Sequence, residues 1–199
     1  MAQSPVEQVI LAGKLFMGSR EFQLAWRLLE LYSEFGRADQ GRLTAPLFGA
    51  PAVCAGLSLE LALKCRIVLD GKQPPDKGAK GHDYVTLFTT LSSDAQDEVA
   101  ARIRLSPDGR KATSPDLVDV LKQFEGTFVK FRYPLSPGSH AFHQGDIRNV
   151  LLALHDSIIQ LRPDLGPWSG VIWDGEATTS SARQLDRVTS AYRLALGLL

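Results

Sequence analysis

Six residues, Asn-Val-Leu-Leu-Ala-Leu, separate Arg148 from His155. At about 100° per residue in a helix, a step of seven returns almost to the same azimuth, so the two side chains share one face about two turns apart. A histidine titrating near neutrality takes or gives a proton, and an arginine fork holds a phosphate oxygen as negative charge builds on it. Asn149 would hold a phosphate oxygen or orient a neighbouring side chain. These are the parts of acid–base chemistry on a phosphate ester. The residues equally fit a plain alternative, a surface arginine and a satisfied, partly buried histidine paired with Asp146 and Asp156.

The element that must position them runs from Gly145 to Leu161. Ile147, Val150, Leu151, Leu154, Ile158 and Leu161 form one apolar stripe, and Arg148, Leu152, His155, Ile159 and Arg162 form a second beside it. A helix apolar on two sides needs two surfaces to pack against. The first is its own core, and the second is either more of the same chain or another copy of it.

The remaining candidates are weaker. His140 and His143 stand three apart in a loop without a cysteine or carboxylate cluster, so metal ligation is not expected. Arg132, before Tyr133-Pro134, suits contact with an anionic ligand or with helix-terminal carbonyls, and Arg162 extends the second stripe. His82, followed by Asp83, is expected to cap and pack. Lys72, Lys77 and Lys80 alternate with Asp70, Asp76 and Asp83 and read as a solvated loop. Cys54 and Cys65 fall in one predicted helix, about 16 Å apart along its axis, too far for a disulfide. No Gly-rich phosphate loop, nucleophile elbow or cysteine metal cluster is present, and no cofactor is expected.

The chain has 199 residues, 22 basic and 22 acidic, which suits one sizeable core and argues against coating nucleic acid by bulk charge. A local basic groove remains open. The run Val9 to Phe16 is broken by Gly13 and Lys14 with no basic residue before it, so neither a signal peptide nor a membrane span is expected, and a cytoplasmic location follows by default.

Ser4-Pro5-Val6-Glu7 predicts a helix start for a first short helix, and Ser19 predicts the cap of a second over Arg20 to Phe35. Ala52 to Leu69 is the longest strongly helical run, with Val53, Leu57, Leu61, Cys65 and Val68 as its expected core stripe and Glu60 with Lys64 as an i,i+4 pair. A short helix is predicted over His82 to Leu91, another from a Ser93–Gln96 capping box to about Leu105, and another from Ser114 to Tyr133. After Pro163 come a short extended segment, Val171 to Trp173, and a last amphipathic helix, Ser181 to Leu198. The expected fold is an all-α up-and-down bundle of five or more helices over 1–162, with a C-terminal helical extension over 163–199.

Three fragments in order, Ser58-Leu59-Glu60-Leu61-Ala62-Leu63-Lys64, Gly81-His82-Asp83-Tyr84-Val85-Thr86-Leu87-Phe88 and Phe131-Arg132-Tyr133-Pro134, resemble the HEPN superfamily. The resemblance covers roughly Gly18 to Leu161. It implies an α-helical bundle that forms a homodimer, often through its last helices, and in many members a metal-independent endoribonuclease. RNA is then the partner, and a cognate inhibitor or a nucleotidyltransferase partner, as in toxin–antitoxin or defence systems, is a further one. The family's catalytic pattern is an arginine, a polar residue and a downstream histidine, which maps onto Arg148, Asn149 and His155. The implied reaction is attack of an RNA 2′-hydroxyl on the adjacent phosphate, leaving a cyclic phosphate and a free 5′-hydroxyl. The Val-Leu-Leu-Ala-Leu filling departs from the commoner family form. The alternative within the resemblance is a non-catalytic dimerisation or partner-binding module.

Overall fold

The computed structural model describes residues 4–38, 49–75, 79–103, 111–124 and 144–168. The chain divides into two compact units, Met1–Ser169 and Gly170–Leu199, and every described residue lies in the first. Regular structure there consists of six α-helices and two 3-10 turns, with no strand element: α1 Pro5–Ala38, α2 Gly49–Leu69, α3 Tyr84–Thr90, α4 Ser93–Ala100, α5 Ser114–Phe124 and α6 Gln144–Leu161. The protein is all-α over these residues. No helix among them is long and apolar enough to cross a membrane.

α1 opens as predicted: Glu7 N–H donates to Ser4 Oγ at 3.3 Å while Ser4 N–H donates to Glu7 Oε2 at 2.8 Å, with Pro5 at the first helical position. It does not break at Ser19. One helix of 34 residues replaces the two expected, because the Ser19 hydroxyl is buried against α2 and caps nothing. Gly18 lets the helices approach there; a Cβ on it would stand 3.1 Å from Leu61 Cδ1. Cys65 Sγ donates to Ala12 O, and Ser58 Oγ donates to Ser19 O, so α1 and α2 run antiparallel.

α2 is the central helix. Val53, Leu57 and Leu61 of its expected stripe are only half-buried, whereas Ala55, Leu59, Ala62, Leu63, Ile67 and Val68 are buried. With α1, α3 and α6 all packed on it, burial is not confined to one stripe. It ends where predicted, at Asp70-Gly71, with Gly71 left-handed at φ 74°. Arg66, itself buried, ties three helices: its Nε donates to Ser157 Oγ of α6 at 2.9 Å and its Nη2 to Glu98 Oε2 of α4 at 3.0 Å.

The short helices are set by their caps. Asp83 accepts from Thr86 N–H at 3.0 Å to cap α3, so His82 lies outside the helix, in a 3-10 turn Ala79–His82. Ser92, rather than Ser93, caps α4 and is itself held by Asp70. α4 stops at Ala100, short of Leu105. Thr113 and Asp116 cap α5 reciprocally, one residue before the predicted start. The continuation of α5 towards Tyr133, the segment Val171–Trp173 and the helix Ser181–Leu198 lie outside the described residues.

Candidate functional site

On α6 the first stripe is core: Ile147, Val150, Leu151, Leu154 and Ile158 are buried, and only Leu161 at its end is exposed. The second stripe turns to α1. Arg148 Nη2 lies 3.3 Å from Glu30 Oε2, His155 lies against Ser19 and Arg20, and Arg162 Nη1 donates to Val9 O at 3.4 Å. The partners fall in reverse order along α1, so α6 runs antiparallel to it and its second face is covered by the same chain.

Arg148 and His155 do share one face, as their spacing requires, but their surroundings differ. The Arg148 side chain is 37% exposed and paired with the buried Glu30 carboxylate, to which Arg27 Nη1 also donates at 3.4 Å. Asp146 and Asp156, the partners expected from sequence, are exposed and do not hold it; the carboxylate comes from α1. His155 is 2% exposed, with the Phe16 ring edge-on at a centroid distance of 5.3 Å.

The hydrogen bonds fix the histidine's protonation. An arginine is always a donor, so Arg20 Nη1–H, 3.4 Å from His155 Nδ1, meets a lone pair there. Nε2 therefore carries the proton and donates to Ser19 Oγ at 2.8 Å. Ser19 Oγ–H in turn donates to Ser58 O at 2.8 Å, and Ser58 Oγ–H donates back to Ser19 O at 2.7 Å. A second proton on the ring would face the Arg20 guanidinium. Burial first, and the Arg20 charge second, push the His155 imidazole down to about 3. Burial likewise lowers Arg20, whose Nη1 also donates to Gln23 Oε1 at 2.5 Å.

Asn149 is not brought to this pair. One residue on from Arg148, it sits exposed on another side of α6, lining a shallow groove with Asp146, Val150, Ile103, Ala112, Leu117 and Val120. Arg162 is bound by Asp164 through two hydrogen bonds of 2.7 and 2.6 Å, so its guanidinium is occupied two residues from its own Cα. Arg132, His140 and His143 lie outside the described residues. Among the described residues no group of three or more His, Cys, Asp or Glu side chains is placed to hold a metal.

Sequence reasoning missed two things. Ser19, Arg20, Gln23 and Glu30 form a buried polar stripe on α1, and the recurrence of polar residues at helical spacing from Ser19 to Glu30 was its signal. His82 does not cap. It lies on Glu60 of α2, Nδ1 to Oε2 at 2.9 Å, while Lys64 Nζ holds Oε1 at 2.6 Å in the expected i,i+4 pair. Compared with family models, curated proteins and solved structures, the chain finds no match.

Proposed function

We propose that this chain is a HEPN-like up-and-down helical bundle that works as a non-catalytic partner-binding module, with a second copy of itself as its partner. In this reading Arg148 and His155 hold α6 to α1 and take no part in RNA cleavage. The observation that carries it is the state of His155: one ring nitrogen accepts from Arg20, the other donates to Ser19, and the ring is buried. A general base needs an accessible lone pair within hydrogen-bond reach of the proton it takes. The three HEPN-like fragments and the all-α architecture support the bundle. The joined ends of α1 and α6 support the binding role, because Val6, Val9, Ile10 and Leu161 are exposed apolar residues there.

The test is incubation of a mixed tRNA and mRNA pool with the purified protein in EDTA, beside the Arg148→Ala/His155→Ala variant, with oligomeric state followed by light scattering. No cleavage by a folded dimer is the expected result. Cyclic-phosphate ends made by the wild type and lost in the variant would restore the endoribonuclease reading. A monomer at all concentrations would remove the second copy as partner.

A further inference from the structure

α1 has two faces. Ala12, Phe16, Ser19, Gln23, Trp26 and Glu30 are buried at intervals of three and four and make its inner face. On the opposite side Ile10, Met17 and Leu24 recur every seven residues and stand in one column along about 21 Å of helix. Ile10 is 52% exposed, Leu24 48%, and Met17 partly so. Gly13 adjoins the column, and a Cβ on it would meet no atom within 4 Å, so the surface has no ridge there. A seven-residue apolar repeat on the outside of a long helix is the pattern by which one helix packs lengthwise on another.

A column of charges runs beside the apolar one. Glu7, Lys14 and Glu21 are exposed, again seven residues apart, and alternate in sign. The residues one turn to either side of Lys14 and Glu21 carry no charge, so neither is paired along α1. Side chains at one heptad position meet their own kind across an interface only when the two helices run antiparallel, and alternating sign then turns that meeting into attraction.

An antiparallel two-fold axis at Met17 satisfies both columns together. Met17 is the midpoint of Ile10 and Leu24, so each lies opposite the other in the second copy. The midpoint of Lys14 and Glu21 falls beside Met17, so these two also meet across the axis, twice per dimer. The repulsive register, with Lys14 on its own copy and Glu7 on Glu21, needs the axis at Lys14. That would place Leu24 opposite Ser4, before the helix begins.

We propose that this outer face of α1 is the surface on which two copies of the chain join, antiparallel about a two-fold axis at Met17. The inference rests on the reading that a second copy is the partner, and it names the surface and the register.

The experiment is sedimentation equilibrium of the full chain at low ionic strength, where surface charges are least screened. Lys14→Glu and Glu21→Lys each turn two attractive contacts per dimer into repulsive ones, and each should weaken dimerisation roughly tenfold. An equimolar mixture of the two variants should regain the wild-type affinity, because every charge pair in the mixed dimer is again of opposite sign. Leu24→Arg, which loses an apolar contact twice per dimer, should weaken it roughly a hundredfold. All three positions are exposed, so the changes leave the fold intact, with far-UV circular dichroism as the check. A dimer unaffected by these variants overturns this surface and leaves the second copy as partner, and a mixture no tighter than either variant alone overturns the antiparallel register. A wild type that is monomeric at every concentration overturns both this inference and the reading it rests on, and gives the face to a partner of another kind.

Discussion

Ser19 Oγ and His155 Nε2 lie 2.8 Å apart, a hydroxyl of α1 and an imidazole of α6, both closed to solvent. This bond makes the second stripe of α6 a seam within the chain. It also makes the histidine a source of acid sensitivity. In the folded protein the imidazole lies at about 3, against 6.5 for the free side chain. The unfolded chain therefore binds this proton more readily, and the neutral ring's contribution is complete above pH 6.5 and declines as pH falls towards 3. Denaturant unfolding should show stability falling by about 1.4 kcal/mol per pH unit from this group below pH 6.5, or about 2 kcal/mol between pH 7 and pH 5. His155→Leu should remove that slope.

Ser19→Ala leaves the His155 Nε2–H and the Ser58 carbonyl without their partner. A cost of about 2 kcal/mol is expected from two buried groups stripped of one hydrogen bond each. In the Ser19→Ala/His155→Leu pair the costs should fall short of their sum by about 1 kcal/mol, since the stranded donor is gone. Urea midpoints of the four proteins measure this, and strict additivity would mean that the bond contributes nothing.

Gly56 and Tyr84 make a sign-reversing pair. A Cβ at position 56 would lie 2.5 Å from Tyr84 Oη but 3.8 Å from its Cζ. Gly56→Ala should therefore destabilise the wild type by about 1–3 kcal/mol through overpacking. In a Tyr84→Phe background the same change meets only ordinary contact, and should stabilise by up to about 1 kcal/mol because alanine favours the helix. Thermal unfolding of the two backgrounds distinguishes these signs.

The two cysteines should differ in reactivity. Burial pushes the Cys65 thiol up to about 12, and its Sγ donates to Ala12 O, while Cys54 is half-buried and less raised. Alkylation of the native protein at pH 8 with peptide mapping should modify Cys54 slowly and Cys65 only once the chain unfolds. Equal native labelling would contradict the packing of α1 on α2.

Much of the helical frame was legible in sequence because local rules decide it: Ser4, Pro5 and Glu7 start α1, Asp70-Gly71 ends α2, and the α6 core stripe is buried up to its last residue. What was not legible depended on tertiary partners. Ser19 has the chemistry of a cap, and only the approach of Ser58 turns it into a buried bridge. Of the α2 stripe, Cys65 and Val68 are buried as expected while Val53, Leu57 and Leu61 are only half-buried, because three helices pack around α2 and periodicity no longer marks one face. The spacing of Arg148 and His155 correctly placed them together, yet spacing carries no information about what covers them. Glu30, Ser19 and Arg20, which do, are more than 100 residues away. Likewise nothing local to Gly81-His82-Asp83 indicates that the histidine turns to Glu60 while the aspartate takes the cap.

The most direct test of the structural role of the Arg148–His155 face is a pH titration of the His155 ring by NMR, with the nitrogens observed. The protein is expected to show a neutral ring protonated at Nε2, unchanged from pH 8 to pH 5. A titration midpoint between pH 6 and pH 7 would contradict it, since the ring would then reach water and have a proton to exchange.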